Sequence, residues 1–272
     1  MSRRGPGAAV ALVAAITLLL TGRSGAWTQD EEPTAVAAAG EPEDAEPTKR
    51  GYNDLRRIIP ISGDAARGQA KTELCSACHG PDGIAVVPMY PNIAGQRADY
   101  LYWQLVKFRD AGEGASVMAA AVAGLSDQDM RDLSAYYAGL DPAGTPAAAD
   151  GDADVSEAPA EEPPDPAMLA LGEQLYLSGD PAKGIPPCQA CHGGDARGHP
   201  RPLERDSADY TPHAVYPLLR GQHGPYLQAR LGEYREGKHR SSTTDFIMGD
   251  VGHRLDDDSI QALSAWLSSL SN

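Results

Sequence analysis

All four cysteines of this 272-residue chain lie in two copies of one motif. The first copy reads Cys-Ser-Ala-Cys-His at residues 75–79, and the second reads Cys-Gln-Ala-Cys-His at residues 188–192. Cys-x-x-Cys-His is the attachment pattern of a c-type haem, in which both thiols bond to the porphyrin and the histidine ligates the iron. The chain is therefore expected to carry two covalently bound haem c groups. The predicted attachment and proximal residues are Cys75, Cys78, His79, Cys188, Cys191 and His192.

Cys-x-x-Cys also occurs in zinc sites and in thiol–disulfide redox pairs. Zinc would need further ligands near each pair, and the first half of the chain has no histidine besides His79. A redox pair does not require a histidine after each motif. Structural zinc or a disulfide is the weaker alternative, and no thiol is left over for a separate disulfide.

The sequence repeats internally, which indicates two similar units. Gly-Asp-x-Ala-[Arg/Lys]-Gly precedes each motif, at residues 63–68 and 179–184. Tyr-Pro-x-[Ile/Leu]-x-Gly-Gln follows each motif, at residues 90–96 and 216–222. The second half has a longer loop before its Tyr-Pro segment, around residues 201–211.

Each half ends in an amphipathic run that predicts a helix. The apolar positions at helical spacing are Met130, Leu133, Tyr137 and Leu140 in the first half and Ile260, Leu263, Leu267 and Leu270 in the second. Ser126 and Asp256 are suited to cap these helices at their N-termini. Because strand signals are nearly absent, the predicted fold class is all-α, with two small units in tandem.

The formal net charge is −15, and most of the acidic excess falls outside the two repeats. The repeats themselves also contain more acidic than basic residues, and such a surface does not attract phosphate groups. Nucleic acid is therefore excluded as a partner. The predicted division is a signal peptide (1–26), an acidic disordered tail (27–50), a first domain (51–141), an acidic Pro/Ala linker (142–166) and a second domain (167–272).

The N-terminus has the pattern of an export signal. Arg3 and Arg4 precede an apolar run at residues 8–20, and small residues before Trp27 suit cleavage. The run is shorter than the ~20 residues that span a bilayer. Export of a soluble protein is expected, with an uncleaved membrane anchor as the alternative.

A six-coordinate haem needs a second axial ligand, which in electron carriers is commonly methionine. Met248 lies seven residues before Leu255, and Met118 lies seven residues before Leu125. The repeat therefore selects Met118 and Met248 as the distal ligands. Met130 fits the apolar stripe of a helix instead, and Met89 has no counterpart in the second half. A second histidine is the competing ligand in the second half only, where the candidates are His199, His213, His223, His239 and His253.

Pro91 and Pro217 occupy matched positions in the repeat. The carbonyl oxygen of each could accept a hydrogen bond from the ring N–H of the proximal histidine, an interaction that orients and tunes such ligands. A rigid turn without this contact explains the prolines equally well.

Six short segments also match a known family, at residues 63–70, 75–80, 92–96, 125–130, 184–188 and 248–255. On these segments the chain resembles the cytochrome c4 family, and the resemblance covers roughly residues 60–140 and 167–270. It implies two class I cytochrome c domains related by a pseudo-twofold axis, with facing haems and His/Met ligation. The long acidic linker and the long loop of the second half depart from the family pattern.

The resemblance also implies a periplasmic electron carrier, not an enzyme, that passes electrons from a quinol–cytochrome c reductase to a terminal oxidase or another redox protein. Peripheral membrane association is a further implication. One alternative is the haem electron-accepting subunit of a dehydrogenase complex. A catalytic two-haem enzyme such as a peroxidase is a third hypothesis, and it would need an open or labile iron position.

Overall fold

The computed structural model describes residues 52–111, 115–142 and 164–272. Across these ranges the chain is helical, with two isolated bridges and no strand. The all-α prediction is confirmed. The predicted signal peptide, the acidic tail and most of the linker lie outside the described residues, and the domain boundaries stay a prediction.

Each half contributes five helices to the described part of the chain. The first half contains α1 (Ala65–Gln69), α2 (Glu73–His79), α3 (Ala98–Ala111), α4 (Val117–Val122) and α5 (Asp127–Ala138). The second half contains α6 (Pro166–Ser178), α7 (Gln189–His192), α8 (Gly224–Arg235), α9 (Thr243–Gly252) and α10 (Asp257–Ser269).

The two closing helices, α5 and α10, begin where the sequence predicts. The Ser126 hydroxyl accepts the backbone N–H of Asp129, whose carboxylate in turn accepts the N–H of Ser126, so the two residues form a capping box. The Asp256 carboxylate accepts the N–H of Ser259 at the start of α10. Both predicted N-caps are confirmed. Met130 is fully buried on α5, as its place in the apolar stripe predicts.

Glycines allow α1 and α6 to cross the closing helices closely. A Cβ atom on Gly68 would overlap the carbonyl oxygen of Asp132 on α5, and one on Gly172 would overlap that of Ala262 on α10. Gly172 is therefore the structural counterpart of Gly68. The sequence repeat, which pairs Gly68 with Gly184, is wrong over this segment. The second half inserts residues between its first helix and its cysteine motif, where Asp180 and Ile185 form an isolated bridge.

Residues 52–61, which we call the N-terminal strap, precede α1 and pack on the second half. Asn53 of the strap forms a bridge with Ser242, and the Ile58 carbonyl oxygen accepts the Thr211 N–H at 3.2 Å. A small apolar cluster joins the halves at this point: Leu55, Ile58, Ala214 and Val215. The long loop of the second half thus holds the strap of the first.

A buried ion pair joins α3 of the first half to α9 of the second. Lys107 Nζ lies 2.5 Å from Asp245 Oδ1, and the two side chains are 11% and 0% exposed. Asp245 Oδ2 also accepts the backbone N–H and the hydroxyl of Ser241. Burial by itself would raise the pKa of Asp245, but Lys107 and Ser241 together hold that pKa below its usual value.

Candidate haem sites

The first cysteine motif forms α2 and places His79 at its C-terminal end. Gly80 follows with a φ of +78°, a left-handed conformation that favours glycine and turns the chain away from the helix. The imidazole of His79 is buried, and Nδ1 lies 2.9 Å from the carbonyl oxygen of Pro91. Because a carbonyl oxygen only accepts, Nδ1 carries the proton, and the Nε2 lone pair is left available for a metal.

The second motif repeats this geometry. His192 ends α7, Gly193 turns the chain with a φ of +80°, and His192 Nδ1 lies 3.0 Å from the carbonyl oxygen of Pro217. Burial lowers the pKa of both His79 and His192, so both imidazoles are neutral in the form that binds iron. Of the two hypotheses for the matched prolines, the structure shows the hydrogen bond to histidine.

Aromatic residues of the Tyr-Pro segments lie beside both histidines. The ring centroids of Tyr90 and His79 are 6.4 Å apart, and those of Tyr216 and His192 are 6.5 Å apart. Each Tyr-Pro segment therefore supplies one carbonyl acceptor and one ring to the same imidazole.

The four cysteine side chains are half-buried and are not joined in disulfides. Burial raises the pKa of Cys75 and Cys191, and raises that of Cys188 to about 11. Bare thiols at Cys75, Cys188 and Cys191 are therefore protonated at neutral pH and poorly suited to redox exchange, which requires thiolate. Within the described ranges, no three His, Cys, Asp or Glu side chains assemble as a metal site.

The predicted methionines lie on matched helices, each directly before the closing helix of its half. Met118 is on α4 and Met248 is on α9, and both side chains are half-buried. The cap of α4, Ser116, lies two residues before Met118, whereas the cap of α9, Ser242, lies six residues before Met248. The helix α9 is therefore extended at its N-terminal end relative to α4. Met89 is 56% exposed, which agrees with its exclusion as a ligand.

The competing histidines of the second half have other contacts. His223 Nε2 lies 2.9 Å from the Ala85 carbonyl oxygen, and His239 Nε2 lies 3.0 Å from the Glu233 carboxylate. The rings of His199 and His213 stack on each other with centroids 3.9 Å apart. His253 is exposed after the end of α9.

The residues present fit a haem in each half. Two thiols and an imidazole with a free Nε2 are the donors that covalent haem attachment needs. In the first half, the buried indole N–H of Trp103 has no acceptor among the described residues. A buried donor without a partner is costly, and a haem carboxylate is an acceptor that would suit it.

Comparisons with known proteins support the same fold and the same cofactor. The Cytochrome c family model matches residues 65–141 and 169–271. Cytochrome c4 from Azotobacter vinelandii is 33% identical over 222 residues, which cover 78% of this chain and 92% of that protein. A thiosulfate dehydrogenase electron acceptor from Thiomonas intermedia is 33% identical over 210 residues, covering 77% of this chain and 83% of that protein.

A solved structure, reduced recombinant cytochrome c4 from Pseudomonas stutzeri, superimposes with a TM-score of 0.59 at 32% identity. The match covers 77% of this chain and 100% of that one. The two helical halves therefore correspond to two tandem class I cytochrome c domains. The two Cys-x-x-Cys-His motifs carry two covalent haem c groups.

Proposed function

This chain belongs to the cytochrome c4 family of di-haem electron-transfer proteins, and on that premise we propose that it carries electrons in the periplasm from a quinol–cytochrome c reductase to a terminal oxidase. One observation supports this role most directly. Each proximal histidine is fixed as the Nδ1–H tautomer by a proline carbonyl, in two halves that are packed together. Such a site keeps its ligand in one orientation when the iron changes charge.

The proposed iron ligands are His79 with Met118 and His192 with Met248. The haem supplies an iron that alternates between the ferric and ferrous states. A closed ligand set leaves no position for a substrate, and a thioether ligand favours the ferrous state. The protein then acts by holding ligands, excluding water and fixing the separation of the two sites, so the proposed role is non-catalytic.

The proposed periplasmic location depends on the export signal at residues 1–26, which the structure does not describe. Among the residues it does describe, no helix has the length and apolar character to cross a membrane. Cleavage before Trp27 is expected, and N-terminal sequencing of the exported protein would check it.

The ligand set can be tested by the absorption band that methionine-to-iron charge transfer gives in the oxidised protein. We expect Met118→Ala and Met248→Ala each to remove about half of that band, because each removes one of two axial thioethers. Met89→Ala is the matched control and should leave the band intact, since Met89 is exposed. Full intensity in Met248→Ala would contradict the ligand assignment in the second half.

The role itself can be tested by mixing the reduced haem-loaded protein with membranes that contain a terminal oxidase. Rapid reoxidation, followed by re-reduction when quinol and the reductase are added, is the expected result. The carrier role would be contradicted if neither the oxidase nor the reductase changed the oxidation state of the haems.

A second candidate function is electron acceptance from a dehydrogenase. It is favoured by the similarity to a thiosulfate dehydrogenase electron acceptor over most of the chain. The two roles separate in one measurement, the reduction rate of the same oxidised protein with a thiosulfate dehydrogenase and with the quinol–cytochrome c reductase. A faster reaction and a stable complex with the dehydrogenase would favour this second function.

A further inference from the structure

Two buried glutamines exchange hydrogen bonds between the halves in a reciprocal way. Gln222 Oε1 accepts the backbone N–H of Asn92 at 2.9 Å, and Gln222 Nε2 donates to the Asn92 carbonyl oxygen at 2.9 Å. Gln96 does the same to Leu218, with distances of 2.9 Å and 3.0 Å. Gln96 is 6% exposed and Gln222 is 7% exposed, so water competes little for these contacts.

Each contacted N–H belongs to a peptide group that also holds a proximal histidine. The N–H of Asn92 and the carbonyl of Pro91 form one peptide group, and that carbonyl accepts Nδ1–H of His79. The N–H of Leu218 and the carbonyl of Pro217 form the corresponding group, which accepts Nδ1–H of His192. A continuous chain of hydrogen bonds thus runs from a glutamine in one half, through a peptide, to the histidine of the other half. We call this chain the amide relay.

The orientation of each glutamine amide is fixed. Gln96 Oε1 also accepts the backbone N–H of Arg97 at 3.0 Å, and Gln222 Oε1 also accepts that of His223 at 3.0 Å. Both lone pairs of each oxygen therefore face donors, and a flipped amide would point its NH₂ group at two N–H groups. The relay accordingly has one direction of polarisation.

We propose that Gln96 and Gln222 are positioning residues that set the reduction potential of the haem in the opposite half. An acceptor on the N–H side of a peptide polarises it and makes its carbonyl a stronger acceptor, because hydrogen bonds in a chain strengthen one another. A stronger carbonyl acceptor makes the imidazole a more basic ligand, which favours ferric iron. The proposal depends on ligation by His79 and His192 and is independent of the external redox partners.

Removal of either glutamine amide should therefore raise one potential, the one across the interface. Gln96→Leu should raise the potential of the second-half haem, and Gln222→Leu that of the first-half haem. If cooperativity contributes 10–30% of a charge-assisted hydrogen bond, the ferric-to-ferrous ratio at a fixed potential falls by about 1.3- to 4.6-fold. A twofold change corresponds to about 18 mV for a one-electron couple.

The experiment is spectroelectrochemical titration of the haem-loaded protein and both variants. Met118→His and Met248→His identify which potential belongs to which haem, because replacing the thioether lowers the potential of its own site. If neither of these variants lowers a potential, the methionine assignment of the proposed function fails. In that case the proposal still requires Gln96→Leu and Gln222→Leu to raise different potentials, and it fails if both variants raise the same one. Haem content by pyridine haemochrome verifies that each variant is loaded, and either glutamine variant alone tests its own relay.

The matched control is the double variant Lys107→Met/Asp245→Asn, which removes another contact between the halves without touching either relay. It should leave both potentials unchanged. The proposal is overturned if Gln96→Leu shifts the potential of the first-half haem, or if it shifts neither potential. It is also overturned if the control variant shifts the potentials by as much as the glutamine variants do. A crossed pair of shifts, with an unchanged control, supports it.

Discussion

Replacing Lys107 by methionine would leave a buried carboxylate without its positive partner. The Asp245 side chain is 0% exposed and Lys107 Nζ is 2.5 Å from it. Breaking a buried ion pair by removing one partner typically costs about 3–5 kcal/mol, whereas replacing both partners is often close to neutral. Because two Ser241 hydrogen bonds remain on Asp245, we expect a loss of about 3 kcal/mol in Lys107→Met and of less than about 1 kcal/mol in Lys107→Met/Asp245→Asn.

The loss in Lys107→Met should depend on pH in a definite direction. In the wild type the Asp245 pKa is below 3.8, so its contribution to stability is present above that value and is lost as pH falls through the lower folded-state pKa. Without Lys107, burial raises the folded-state pKa of Asp245 above its unfolded value. The penalty is then complete at high pH and shrinks as pH falls through the raised pKa. The stability difference between wild type and variant should therefore narrow on acidification.

Urea unfolding of the haem-loaded proteins, followed by far-UV circular dichroism at several pH values, measures these free energies. The covalent haems stay with the unfolded chain, so wild type and variants share one reference state. If Lys107→Met and the double variant are equally stable at every pH, the unpaired Asp245 carboxylate carries no cost of burial. The reasoning above would then fail.

Four further predictions concern single-residue substitutions. Gly172→Ala should lower the free energy of unfolding by about 1–3 kcal/mol, because the new methyl group meets the Ala262 carbonyl oxygen. Gly232→Ala on α8 should instead raise it by about 0.5–1 kcal/mol in the same urea titration, because the added Cβ meets nothing within 4 Å beyond its sequence neighbours and the local helix backbone. Ser126→Ala removes the cap of α5 and should cost about 1 kcal/mol by the same assay, whereas equal stability would show that the cap is dispensable. Oxidised wild-type protein should bind cyanide slowly in an absorbance titration, because both axial positions of each iron are occupied. Met248→Ala should bind cyanide readily at one haem, and rapid binding by the wild type would contradict closed ligation.

Features determined by short stretches of sequence could be predicted. The capping residue Ser126 starts α5 as predicted, because capping depends on neighbours within a few residues. Met130 was also predictable as a core residue, since helical periodicity alone places it on the buried face of α5. The methionine ligand assignment is still a prediction.

Features that join distant parts of the chain could not be predicted. The repeat Gly-Asp-x-Ala-[Arg/Lys]-Gly aligns Gly68 with Gly184, because the two segments are similar in sequence and lie close to the cysteine motifs. The structural counterpart of Gly68 is Gly172, and the helix crossing that shows this is not visible in the sequence. The sequence showed that Gln96 and Gln222 are matched. It could not show that each binds the peptide of the other half, since that contact spans more than a hundred residues and depends on how the halves pack.

The contacts between the halves also explain why a long linker and a long loop are compatible with close packing. The loop of the second half buries Thr211 and Ala214 beside Ile58 of the strap, while Lys107 and Asp245 meet at a separate point. These contacts join residues that are not at matched positions of the repeat, so they add to the matched glutamine contacts between the halves. Linker length limits only how far two unattached halves could separate. The strap, the ion pair and the glutamines determine whether they do, and the amide relay requires that they stay together.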